Sequence, residues 1–325
     1  MYIGGSVKLN PQSFMYRSAF AFLLVLSACQ PSPSSDVAKD VDANNPIKVV
    51  VTTSMIADLV SVIGQPFVSV DGLMGPNVDP HLYKASEGDV SLMTGADLVL
   101  YSGLHLEGKM VDIFEQMERR GMDVHALSDV LDAEDLRESA LFVGNHDPHI
   151  WFDVRLWEKV AGRVGEILVS YDPGHAETYR ANLEAYLGKM EELNAWIHTE
   201  MQRIPEKFRV LVTSHDAFGY FGRAYGIEVR GLQGISTASE AGTADVQELA
   251  AFVADRKIPA LFVEASISPR GIEAVIAAVR NRGFEVQIGG TLYGDALGSP
   301  GTDAENYLGM VRENVRLIVT GLVGN

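Results

Sequence analysis

The tripeptide Asp-Pro-His occurs twice, as Asp79-Pro80-His81 followed by Leu82-Tyr83 and as Asp147-Pro148-His149 followed by Ile150-Trp151. At average residue usage one copy is expected on the order of a few hundredths of a time in a chain of this length, so the repetition points to shared chemistry. Proline fixes its own φ and drives the residue before it toward extended geometry, which gives each histidine a rigid, non-helical launch point. Each aspartate can then accept a backbone or imidazole N–H, as carboxylates behind metal-bound histidines do. His81 and His149 are therefore candidate ligands with Asp79 and Asp147 as their supports; the competing reading is a pair of loop histidines satisfied locally. Two further candidates lie downstream: His215, which follows Thr213-Ser214, and Asp295 in the loop Tyr293-Gly294-Asp295-Ala296-Leu297-Gly298. Position alone leaves the roles of these two open. Three neutral imidazoles and one carboxylate would suit Zn²⁺ or Mn²⁺ and are too nitrogen-rich for Ca²⁺ or Mg²⁺.

Other groups read as structural. Glu264 follows an apolar run and is expected to pair with a neighbouring base or with backbone, and Asp216 to cap a helix. His146 reads as solvent-facing, His175 and His198 as surface residues of a long helix, and Phe218, Tyr220 and Phe221 as core.

The elements that must position these residues are legible as alternation. The runs Ile47–Thr53, Phe67–Leu73, Leu98–Tyr101, Arg209–Thr213, Ile227–Leu232, Ala260–Val263 and Glu285–Ile288 look like buried strands, each followed by a loop and a helix-period segment. Such alternation indicates an α/β fold with mainly parallel sheets built from βα units. Between the two sets, Tyr179, Leu183, Tyr186, Leu187, Met190, Leu193 and Ile197 recur at helical spacing from Gly174 to about Arg203, between Pro173 and Pro205. A helix of that length runs on the order of 45 Å and is better placed as one rigid connection between two lobes than as a layer in one. The expected organisation is a lobe over 46–172, a linking helix over 173–204 and a second lobe over 205–325. Val51-Thr52-Thr53-Ser54 and Leu211-Val212-Thr213-Ser214 echo each other, each expected to end a strand and open a helix with a serine cap. Ligands of open parallel sheets bind beyond the carboxyl ends of strands, which places a site in the cleft between the lobes.

Composition narrows the function. Among 325 residues, 26 Lys and Arg face 43 Asp and Glu, a formal charge of −17 that argues against nucleic acid as a partner. The single cysteine excludes a disulfide framework and a multi-cysteine metal site. That cysteine, Cys29, ends the order Leu26-Ser27-Ala28-Cys29 after a basic start (Lys8, Arg17) and the apolar run from Ala19 to Leu26. The layout is that of an export signal over 1–28, with Met15 an alternative start. The tetrad resembles the lipobox of bacterial lipoproteins, which implies a lipid anchor on Cys29. Residues 29–45, rich in Pro and Ser at first, read as a flexible tether.

The segments VDPHLYKASEGDV, ADLVLYSGLHLE, DPHIWFDV, VTSHDAFGYFGRAYGIEV, GLQGISTASEAGTADVQELAAF, ALFVEASISP and GGTLYGDALG resemble the metal-binding receptors of zinc and manganese ABC importers, the cluster A-I solute-binding proteins. The resemblance runs from about Ile47 to the C-terminus. It implies two α/β lobes bridged by one helix and carries the metal ligands onto His81, His149, His215 and Asp295. It further implies one Zn²⁺ or Mn²⁺ per monomeric chain as cargo, with a membrane permease and a separate ATPase as partners. Several manganese-specific relatives have Glu at the third ligand position, where this chain has His215, and the His-rich loop of many zinc-specific relatives is missing.

The expected function is accordingly a non-enzymatic receptor facing the periplasm or cell exterior. No Gly-x-x-x-x-Gly-Lys-Ser/Thr sequence occurs that would make the chain an ATPase. A zinc hydrolase is the enzymatic alternative, weakened by the lack of His-Glu-x-x-His, and a surface adhesin with structural metal is the third class. For the receptor, affinity is expected to fall as the histidines protonate, through roughly pH 6.5 and below.

Overall fold

The β-branched runs form strands because each is covered by helices on both sheet faces, so that nearly every residue of a central strand is buried. The computed structural model describes residues 41–138 and 146–323; the expected signal segment, Cys29 and most of the tether lie outside them. The first half winds β1 (Ile47–Val51), α1 (Ser54–Gly64), β2 (Val68–Gly72), α2 (Glu87–Thr94), β3 (Leu98–Tyr101), α3 (Val111–Arg119) and β4 (Val124–Ala126). These strands make one parallel sheet in the order β2-β1-β3-β4. After α4 (Val154–Tyr171) and α5 (Ala176–Met201), the second half repeats the pattern. It contains β5 (Val210–His215), α6 (Gly219–Tyr225), β6 (Glu228–Gln233), α7 (Thr243–Arg256), β7 (Ala260–Glu264), α8 (Arg270–Arg280), β8 (Gln287–Leu292) and α9 (Tyr307–Val323). β5 pairs with β6 and β7 with β8, both in parallel, and β5 lies beside β7. The spatial order β6-β5-β7-β8 therefore repeats the winding of the first sheet.

The fold is α/β, with two parallel-sheet lobes and a long helix between them. α5 has 26 residues, about 39 Å, and starts later than expected because Pro173–His175 forms a 3₁₀ turn. Its buried residues Tyr179, Tyr186, Met190, Leu193 and Ile197 follow the three-and-four spacing of one helical face. α5 packs on α4, on α1 of the first half and on α9 of the second. Asp58 of α1 ties this contact together, accepting the Tyr186 hydroxyl at 3.2 Å and the Tyr307 N–H at 3.0 Å. Burial pushes that carboxyl above its ordinary range.

The strands were legible with shifted ends, most of all β8, which covers Gln287–Leu292 instead of Glu285–Ile288. β4 was not anticipated, since three residues are too few to show a period. The serine caps are corrected. α1 is capped by the Thr53 side chain, and Ser214 lies inside β5, several residues before α6, whose first turn has no side-chain cap. Asp216 is likewise no cap. His175 is not a surface residue of α5: it precedes the helix, stacks on Phe67 at 3.7 Å between ring centroids and meets Asp172 Oδ2 at 2.7 Å. His198 is exposed on α5, beside Tyr225. Among the described residues no helix is long and apolar enough to cross a membrane.

Candidate metal centre

All four candidate ligands are brought together where the carboxyl ends of the two sheets face each other. His81 stands in the loop after β2, His149 between β4 and α4, His215 at the last position of β5, and Asp295 in the loop after β8. Their ligating atoms all lie within 4.8 Å of one another. His149 Nε2 is 3.3 Å from the Nε2 of both His81 and His215. Asp295 Oδ2 is 3.3 Å from His215 Nε2 and 3.9 Å from His81 Nε2, and Oδ1 is 3.4 Å from His149 Nε2. A tetrahedron of donors around Zn²⁺, with bonds of about 2.0–2.1 Å, has edges of about 3.3 Å. The cluster thus has the dimensions of a coordination cage. Two imidazole nitrogens facing at that distance gain a common partner when an ion sits between them.

Each donor is aimed by what stands behind it. Asp147 accepts the His149 backbone N–H at 3.0 Å and meets the ring Nδ1 at 2.7 Å through Oδ1, while Oδ2 is ion-paired with Arg137. Arg137 in turn donates its N–H to the Tyr220 hydroxyl, which donates to the Asp147 carbonyl. Glu264, the last residue of β7, accepts the His215 N–H at 2.9 Å and stands 2.7 Å from His215 Nδ1. The expectation that Glu264 pairs with a neighbour is met, and that neighbour is a candidate ligand. Asp79 accepts only the backbone N–H of His81, at 2.9 Å, and takes the Thr237 hydroxyl on its other oxygen. With Nδ1 engaged by a carboxylate, His149 and His215 present Nε2 to the cage.

The Asp295 loop is clamped from both sides. Asn314 of α9 holds Tyr293 by two hydrogen bonds, Leu297 N–H donates to Ser54 Oγ of α1, and Trp151 Nε1 donates to the Gly294 carbonyl at 3.0 Å. Position 294 must be glycine: a Cβ there would lie 2.3 Å from Glu264 Oε2 and 3.4 Å from the His215 ring. Sequence reasoning missed Arg137, Thr237, Trp151 and Asn314 as supports, for nothing in the spacing shows what their side chains reach. Only the glycine beside Asp295 and the aromatic residue after the second tripeptide hinted at close packing.

Electrostatics separate the imidazoles. Burial holds His81 down at a pKa of about 3, against the attraction of Asp295. Burial also opposes charge on His149, but Asp147 and Asp295 outweigh it and raise the pKa to about 9. His215 is likewise raised well above the ordinary value, burial being outweighed by Glu264 and Asp295. Asp295, although burial favours its neutral form, is held well below the carboxylate range by His215 and His149. Both of its oxygens are buried without a hydrogen-bond partner among the described residues, an arrangement that burial penalises unless a cation satisfies it. The remaining histidines stand apart: His146 pairs in backbone with Glu138 and is half-buried, His105 lies in the turn after β3, and His125 sits in β4 beside Asp123.

Fold and site together define a class: two-lobed α/β proteins that hold a cage of nitrogen and oxygen donors where two parallel sheets meet. Residues 49–321 match the family described as ZnuA, zinc-uptake complex component A, periplasmic, and the chain belongs to that family. It is similar to the zinc-binding protein TroA of Treponema pallidum (strain Nichols), with 48% identity over 285 residues, 88% of this chain and 92% of that protein. The manganese-binding lipoprotein MntA of Bacillus subtilis (strain 168) is 44% identical over 284 residues, 86% of this chain and 91% of that one. Among solved structures, the periplasmic zinc-binding protein TroA from Treponema pallidum matches with a TM-score of 0.83 at 47% identity, covering 86% of this chain and 100% of that chain. The chain is a binding component of a metal-uptake system and not an enzyme.

Proposed function

We propose that the protein captures one Zn²⁺ or Mn²⁺ outside the cytoplasm and delivers it to the membrane permease of an ABC importer driven by a separate ATPase. His81, His149 and His215 supply Nε2 and Asp295 its carboxylate. The observation that carries this reading is the buried Asp295 carboxylate, without a hydrogen-bond partner among the described residues and ringed by three imidazole nitrogens at 3.3 to 3.9 Å. The ion is cargo: its binding exchanges hydration water for four protein donors, and its release requires those donors to separate. One chain supplies all four donors, so a monomer suffices. We assign residues 46–172 and 205–325 to the two lobes and 173–204 to the connection between them, supported by the packing of α5 on α1 and α9.

The test is equilibrium dialysis with elemental analysis. The expected result is one Zn²⁺ or Mn²⁺ per chain, lost on His215→Ala with the fold retained; an unchanged metal content in that variant would remove His215 from the site. The Irving–Williams order makes Zn²⁺ the tighter ligand of such donors whichever ion is physiological, so uptake of each ion by the host decides between them. Export with lipid anchoring on Cys29 is part of the same proposal, supported by the Leu26-Ser27-Ala28-Cys29 order and by the lipoprotein name of the Bacillus relative. Metabolic labelling with a fatty acid is expected to mark the wild type and not Cys29→Ser.

A further inference from the structure

The loop between β6 and α7, residues 234–242, contributes no donor to the cage, yet it makes one hydrogen bond to the first lobe among the described residues. Thr237, 8% exposed, donates its hydroxyl to Asp79 Oδ2 at 2.6 Å, and Asp79 Oδ1 holds the His81 N–H at 2.9 Å. Among the described residues the other hydrogen bonds of this loop are local: Asp216 N–H to the Gly234 carbonyl, Ala238 N–H to Ser236 Oγ, and Gly242 N–H to Asp245 with the Val246 N–H returned to the Gly242 carbonyl. Residues 238–240 are exposed. Cavities of about 580 Å³ and 350 Å³ lie beside the loop, and Glu240 and Ala241 line both. The segment has space next to it, and among the described residues the Thr237 hydroxyl makes its hydrogen bond across the cleft.

The ligand at the far end of that fastening depends on it more than the others would. The Nδ1 atoms of His149 and His215 each face a carboxylate at 2.7 Å, whereas among the described residues none faces His81 Nδ1. Among the described residues the hydrogen bond that holds His81 from outside the cage is through its main chain, to an aspartate whose remaining oxygen is fixed by Thr237. It is also the least buried of the three, 5% exposed against 0% for the other two.

We propose that Thr237 is a positioning residue for metal capture: its hydroxyl fixes Asp79 and thereby His81, and breaking this cross-cleft bond is the step that frees the ion. The proposal rests on the assignment of His81, His149, His215 and Asp295 as the metal ligands. Opening the bond costs one hydrogen bond to a carboxylate and the loop has room to move, so release proceeds by loss of His81 first, with the other donors still in place. A permease that pulls on the exposed 238–240 tip would act on the same bond.

The experiment follows release of Zn²⁺ from the loaded full chain into excess chelator by stopped flow. Thr237→Val is expected to release roughly tenfold faster, and Thr237→Ser, which keeps the hydroxyl, to stay within about twofold of wild type. In a His81→Ala background, Thr237→Val is expected to add nothing, because the bond then has no ligand to hold. Thr237→Ala carries the same expectation as Thr237→Val should the branched side chain disturb folding. A wild-type rate in both hydroxyl-free variants would overturn the proposal, as would equal acceleration with and without His81. If the wild type fails to bind one equivalent of Zn²⁺, or His215→Ala still does, the ligand assignment itself fails, which the loading step reveals before any rate is measured.

Discussion

The two Asp-Pro-His tripeptides are identical in sequence and opposite in setting. In both, the aspartate accepts the backbone N–H of its own histidine two residues on, at 2.9 and 3.0 Å. Beyond that shared turn they diverge. Asp147 also meets the His149 ring and is ion-paired with Arg137, and His149 is drawn up to a pKa of about 9, burial being outweighed by carboxylates. Asp79 leans on a neutral hydroxyl from the other lobe, and burial drives His81 down to about 3. A repeated motif fixes a local turn, whereas the surroundings decide whether the residue it presents is a rigid post or a movable one. The chain uses one of each, and the movable one lies closer to solvent.

The largest expected contrast is between the proposed ligands themselves. His149→Ala should cost more affinity for Zn²⁺ than the roughly 10–100-fold typical of supporting residues, and should lower the melting temperature, since it strips a partner from the buried Asp147. His81→Ala should weaken binding less and leave the melting temperature near wild type; chelator competition and thermal melts on both variants would show the difference, and equal losses would dissolve it. Asp147→Asn is expected next, at about 10–100-fold in affinity, with Asp79→Asn at the low end, about tenfold, because it disturbs the Thr237 bond and the His81 backbone contact but no contact to the imidazole.

Proton release sharpens the comparison further. His149 and His215 carry raised values, so the metal-free protein binds more protons than the loaded one near neutral pH, and raising pH must favour the loaded form. Affinity should climb about tenfold per pH unit for each proton displaced, continuing toward pH 9 instead of levelling off above pH 6.5 as three ordinary histidines would. His81, already neutral, adds no proton. Calorimetry in buffers of different ionisation enthalpy should therefore find proton release reduced in His149→Ala and unchanged in His81→Ala. Arg137→Gln acts on the fold instead of the cage and is expected to cost about 2 kcal/mol in stability, between the values for exposed and buried pairs because the guanidinium is 29% exposed and Asp147 1%.

Much of this was legible beforehand because the relevant signals are local. Proline before histidine and β-branched runs with helical spacing between them act within a few residues, and they located most of the strands, the long helix and the two tripeptide histidines. His215 and Asp295, left open by position, took their candidate ligand roles from the family resemblance. What the local signals could not carry was the partner distant in sequence. Thr237 lies 158 residues from Asp79, and Glu264 lies 49 from His215. Neither pairing leaves a periodic trace, and Arg137 stands in a stretch with no pattern at all. The serine caps failed for a related reason: a Thr-Ser pair at a strand end looks the same whether the next residue starts a helix, as after β1, or continues the strand, as in β5.

The cage contains three nitrogens and a carboxylate, and no sulfur. Thiolate sites lose their metal when an oxidant turns the ligand into a sulfenic acid or a disulfide, and they must be reduced before they work again. Imidazole and carboxylate offer such oxidants nothing to act on by that route. Occupancy of this centre should thus be indifferent to peroxide and to the thiol poise of its surroundings, and set by free ion and proton concentrations alone. A capturing protein built this way keeps its capacity under oxidative attack without any enzyme to repair it.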